Sequence, residues 1–167
     1  MRPQGGLGGA RLRTGLAGPK SLSGRDTPES PPLIPNGPYF EDPNWPADLD
    51  RYTARIGQLL GPAIARFARA QARLEVGDGQ LFSTPYNFGN IGNIDSNPKG
   101  GGGFPNPEAA AEAWVAFITN NGGPTRYQAF LDAGAAGAGV ASLAQIIKEA
   151  GYATGPNYAQ EVAALAE

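Results

Sequence analysis

Neither cysteine nor histidine occurs in the 167 residues. Without cysteine there is no disulfide framework, no thiolate nucleophile and no cysteine metal site, and thiol usage says nothing of the compartment. Without histidine the Ser-His and Cys-His arrangements are excluded, along with the commonest zinc ligand. Any catalysis falls to carboxylates, tyrosine, lysine, backbone donors or a bound cofactor. Carboxylate chemistry points first to glycosidic bonds. A run of four glycines, Gly100 to Gly103, is the one segment with a phosphate-loop look. No strand pattern leads into it and no Lys-Ser/Thr follows, so that reading is rejected; no cofactor or metal is expected.

Long apolar runs are also missing, so no membrane span is expected. The N-terminal arginines resemble the start of a signal peptide, but glycine and proline interrupt the apolar core that such a signal needs. The net charge of −2 is unevenly spread. Residues 1–25 carry Arg2, Arg11, Arg13, Lys20 and Arg25 with no acid, +5 in all, which leaves −7 for the rest. A basic arm on an acidic body fits an anionic surface or partner, or a solvated tail. Its cations are sparse and not interleaved with aromatics, so nucleic-acid binding is not expected.

What the chain has in excess is glycine and proline, 25 and 16 residues. Fifteen of them fall within residues 1–38, too many for that segment to offset its ordering entropy by burial. We read 1–38 as an extended Gly/Pro-rich arm and 39–167 as the folded domain, with Tyr39, Phe40 and Trp45 pinning one to the other. From Pro46 the periodicity turns helical, with Leu49, Tyr52, Ile56 and Leu59/Leu60 on one face. Gly61 and Pro62 mark a stop and a restart. A helix over about 62–76 follows, whose inward stripe is Ile64, Phe67, Ala68, Gln71, Leu74 and Glu75. Gly77 ends it. Residues 77–106 read as loop, with weak strand signals around Phe88, Ile91 and Ile94. Further helices follow Pro107, surround Phe130, span about 139–150 and close the chain. The expected class is all-α, with roughly six helices and one long loop.

The segment "FPNPEAAAEAWVAFITNNGGPTRYQAFLDAG", and "AGYATGPNYA" at 150–159, resemble the end of bacterial and phage glucosaminidase domains, the flagellar-type peptidoglycan hydrolases. Earlier, "AQARLEVGDG" at 70–79 is similar to the end of that family's catalytic helix, a run like AQAxLExGWG. "YNFGNIGN" stands where the family has an N-x-FGI turn. The likeness covers about 46–167. It implies a compact lysozyme-like helical fold with a reduced or missing β-lobe. At position 78 this chain has Asp where the family has tryptophan. Between Asn93 and Phe104, where the family inserts a hairpin carrying a second carboxylate, Asp95 is the sole acid.

The resemblance makes Glu75 the general acid. Burial on the inward stripe and the negative end of the helix macrodipole would both raise its pKa, as proton donation near neutral pH requires. Asp95 and Asp78 are the candidates for a second carboxylate, unless the substrate's own acetamido group or a single-acid transglycosylase route replaces it. Tyr152 matches a family tyrosine beside the cleft. Asn87, Phe88, Asn90 and Asp78 would line a sugar groove. The duller readings stand beside these: Glu75 ion-paired with an arginine, Tyr152 a core residue, Asn87 and Asn90 turn formers. The functional expectation is a peptidoglycan hydrolase acting on glycan strands, virion- or tail-associated or periplasmic on an appendage. Its arm would be held by neighbouring subunits. The alternative is an inactive structural virion or appendage protein that keeps the fold.

Overall fold

The computed structural model describes the backbone of residues 33–34, 37–38, 42, 44–82, 84–91 and 103–166. Nearly all of the arm and Asp95 lie outside the described residues. Within the arm, β1 (Leu33–Ile34) pairs antiparallel with β2 (Gly37–Pro38). The domain is helical: α1 (Ala47–Leu60), α2 (Pro62–Val76), α3 (Pro107–Thr119), α4 (Gln128–Ala135), α5 (Val140–Glu149) and α6 (Tyr158–Ala164). None of the helices is long and apolar enough to cross a membrane.

Local chemistry sets these boundaries. Gly61 closes α1 at φ 89°, giving its N–H to the Gly57 carbonyl, and Pro62 opens α2 where a missing N–H costs nothing. Asn106 caps α3 by accepting the Ala109 N–H at 2.8 Å, again ahead of a first-turn proline. α1 packs against α2 and α3, while the far face of α2 meets α4, α5 and α6. α2 is therefore the central element. Its inward residues Ile64 and Phe67 are essentially fully buried, and Phe67 meets Phe130 of α4 edge-on at 5.0 Å. Trp114 of α3 completes this layer.

The turn after α2 is the feature that positions the site. Gly77, Asp78 and Gly79 are left-handed in succession, with φ of 54°, 53° and 86°. The N–H of Gly77 bonds the Arg73 carbonyl, and that of Leu81 bonds the Val76 carbonyl, so the chain doubles back tightly. A side chain at Gly79 would overlap the Trp45 indole, 2.6 Å away. Position 78 thus lacks the tryptophan that the resemblance leads one to expect, while Trp45, from ahead of α1, covers the same turn. Trp45 also stacks on Phe88 and meets Phe82 edge-on. The weak strand expected at Phe88 and Ile91 is replaced by consecutive turns.

Candidate active site

Glu75 lies in the last turn of α2, partly exposed, and the arginines of its own helix point elsewhere. Arg69 pairs with Asp50 on α1. Arg73 gives its Nε–H to Asp78 at 2.8 Å and another donor to the Leu165 carbonyl. What the Glu75 carboxyl meets is the side-chain amide of Asn90, hydrogen-bonded to it, and three tyrosines, Tyr52, Tyr152 and Tyr158, within electrostatic reach. Burial pushes its pKa from an ordinary 4.5 to about 8, and the Asn90 bond works in the opposite direction. Solvent at the exposed edge of the side chain also opposes the rise, so the chemistry rests on its direction: this acid holds its proton towards neutral pH. Neither an arginine nor another carboxylate figures among the causes of that shift. Among the described residues no ion pair includes Glu75.

A buried polar chain supports this end of α2. The Trp114 indole N–H donates to the Gln71 carbonyl oxygen at 3.1 Å, and the Gln71 amide donates to the Tyr158 hydroxyl at 2.8 Å. Gln71 is one helical turn before Glu75, so the chain fixes the face that Glu75 shares. The Tyr152 hydroxyl donates to the Gly89 carbonyl at 3.1 Å. Gly89 must be a glycine, because a Cβ there would overlap the Trp114 ring. Loop 84–91 is tied in turn to the approach to α3 by the Phe104 N–H bonding the Pro85 carbonyl. In the sequence Gln71 and Tyr52 fall on inward stripes and Tyr158 within the 150–159 motif, with nothing local to mark a role for Tyr52 or Tyr158. The signal for Gln71 was its polarity on an apolar stripe four residues before Glu75.

The structure brings together Glu75, Tyr152 and Asn90. The other expected site residues are placed differently. Phe88 is wholly buried, sandwiched by Tyr52 and Trp45, so it offers no face for a sugar to stack on. The Asn87 amide is spent on its own turn: Ile91 N–H donates to its Oδ1, and its Nδ2 donates back to the Ile91 carbonyl. It is the turn former, not a free groove amide. Asn90 is left-handed, φ 51°, a conformation asparagine tolerates, and this turns its side chain to Glu75. Its amide serves the acid. Asp78 is exposed and paired with Arg73.

A partly buried carboxylic acid, held by an amide and with phenols within electrostatic reach, suits giving a proton to an ether oxygen. No curated protein and no solved structure matches the chain. Residues 56–167 match the Glucosaminidase family model, described as mannosyl-glycoprotein endo-beta-N-acetylglucosaminidase. That span is more than half of the chain and includes Glu75, Asn90 and Tyr152, and membership supports a glycan-strand hydrolase function on peptidoglycan. The chain belongs to the Glucosaminidase family of lysozyme-like glycoside hydrolases.

Proposed function

We propose that this chain cleaves peptidoglycan glycan strands with Glu75 as the general acid. The observation that carries the reading is the Glu75 carboxyl itself: partly buried on the inner face of α2 and bonded to the Asn90 amide, with burial pushing its pKa upward. Its proton passes to the glycosidic oxygen as the bond from that oxygen to the anomeric carbon breaks, releasing one sugar as an alcohol. Among the described residues no second carboxylate faces Glu75. The substrate's acetamido oxygen then closes on the anomeric carbon, and the Glu75 carboxylate takes a proton from the water that reopens the ring. Tyr152, buried with its hydroxyl given to the Gly89 carbonyl, supports the site from the core side rather than touching substrate. N-acetylglucosaminidase and muramidase specificities both fit this scheme; in a transglycosylase route the sugar's own 6-hydroxyl would attack the anomeric carbon in place of water and give its proton to the Glu75 carboxylate.

A phage virion or tail component, or an appendage-associated enzyme in the periplasm, is the setting we propose. The basic arm would contact neighbouring subunits. A second reading, an inactive structural descendant, draws support from Phe88 and Asn87, two expected substrate contacts that the fold uses for itself. Muropeptide release from purified peptidoglycan, wild type against Glu75→Gln, separates the two. Release that the folded variant loses supports the hydrolase, and mass analysis of the new ends names the bond. No release by folded wild type across several wall chemistries supports the structural reading.

A further inference from the structure

Phe88, Gly89 and Asn90 are consecutive, and each holds a different group at the end of α2. The Tyr52 ring stacks on Phe88 with centroids 4.5 Å apart, the Tyr152 hydroxyl bonds the Gly89 carbonyl, and the Asn90 amide bonds Glu75. One short loop thus gathers α1, the segment after α5 and the end of α2 around a single carboxyl. Of the three phenols near Glu75, Tyr152 donates to Gly89 and Tyr158 accepts from Gln71. The Tyr52 hydroxyl is buried and has no hydrogen-bond partner among the described residues. An unpaired buried hydroxyl is costly, and phenylalanine would fill the same space without that cost. Packing alone does not account for the oxygen.

We propose that the Tyr52 hydroxyl is a positioning group for Glu75: it donates to the carboxylate when Glu75 has given up its proton. This rests on Glu75 acting as the acid. A protonated carboxyl beside Asn90 has one acceptor need met. An ionised one is acceptor-only, with about four lone-pair sites, and requires further donors. The titratable groups facing it are Tyr52 from α1, Tyr152 from the segment after α5 and Tyr158 from α6. Arg73, on its own helix, is turned to Asp78 and Leu165. All three phenols are held well above their ordinary 10, by burial first, so they remain donors while Glu75 titrates. Tyr52 also lies ahead of the span matched by the family model, so the match at 56–167 assigns it nothing.

The test is a carbon-13 NMR titration of the full chain, without substrate, comparing wild type with Tyr52→Phe. The Glu75 carboxyl signal is identified by its loss in Glu75→Gln. A bond donated to the ionised form lowers the pKa, so its removal should raise the Glu75 midpoint by about one pH unit. The alkaline limb of the activity profile should move the same way. A midpoint that does not move overturns the proposal. If Tyr52→Phe fails to fold, wild type decides. The Tyr52 ring carbon bearing the hydroxyl should then respond at the Glu75 midpoint, and a flat response overturns the proposal. A shifted midpoint with no muropeptide release would keep the Tyr52 contact and reject the hydrolase. Release lost in Glu75→Gln, with an unmoved midpoint in Tyr52→Phe, would do the reverse.

Discussion

Two sets of carboxylates share this small domain and are handled in opposite ways. Where the outer sides of α1, α2 and α3 meet, the partners are arginines: Glu108 and Glu112 of α3 meet Arg51 and Arg55 of α1 at 2.7 and 2.6 Å, and Asp50 meets Arg69. The Arg51 hydrogen bond holds Glu108 below its ordinary pKa, so it stays ionised. On the inner face, Glu75 has an amide and phenols for company, and its pKa goes up. Arg69 and Arg73 lie within six positions of Glu75 in sequence, yet helical phase turns them away. Partner identity, not the number of nearby charges, decides which acid is structural and which can give up a proton.

The largest test of this contrast is Glu75→Gln, which keeps the shape and removes the proton. Muropeptide release should fall by about 10²–10⁴-fold, the usual worth of a general acid. Glu112→Gln on the outer face should leave release unchanged. Next in size is Gln71→Leu, which breaks the Trp114–Gln71–Tyr158 chain behind Glu75. It strands an indole N–H and removes the phenol's partner, and should cost about 2–3 kcal/mol. Urea unfolding should show a lower midpoint with an unchanged slope. A neutral result would mean that the polar chain is not what supports the inner face.

Much of the helical frame is legible in the sequence because its signals are local. Pro62 and Gly77 bracket α2 as expected, and the inward phase of Glu75 follows from counting along one helix. The surroundings of Glu75 are not legible in this way. Phe88 reads as a groove aromatic until Tyr52, 36 positions earlier, and Trp45 are seen to enclose it. Asn87 and Asn90 look alike in "YNFGN", but one closes a turn and the other reaches Glu75, a difference fixed by backbone torsions rather than residue type. Tyr86, at φ 56°, sits in a region bulky residues avoid, so the loop's path is imposed by long-range packing. Propensity could not have anticipated it.

The acid-base contrast should also appear in stability. The Glu75 pKa is raised on folding, so between about 4.5 and about 8 the native state holds a proton that the unfolded chain has released. The associated stability is present below the unfolded value and is lost as pH rises through the folded one. Glu75→Gln cannot ionise and escapes that loss. Relative to wild type it should gain little near pH 4 and about 2–4 kcal/mol near pH 9, allowing for solvent at the exposed edge. Denaturant midpoints across that range would measure it. A constant difference between the two proteins would place the Glu75 carboxyl in bulk-like solvent.

The smallest effect is expected at Arg55→Ala, on the outer face. Two donors of its guanidinium reach one oxygen of Glu112, and a third reaches Gln58, which on paper is a richer set of bonds than Glu75 enjoys. Glu112 is 55 % exposed, however, and water competes for the same donors. The double-mutant coupling between Arg55 and Glu112 should be below about 1 kcal/mol and should shrink further in high salt. Muropeptide release should not change. Were the coupling instead several-fold larger and salt-insensitive, the outer ladder would be holding α1 against α3. Tyr52 stands on α1, so the outer face would then be helping to position the inner one.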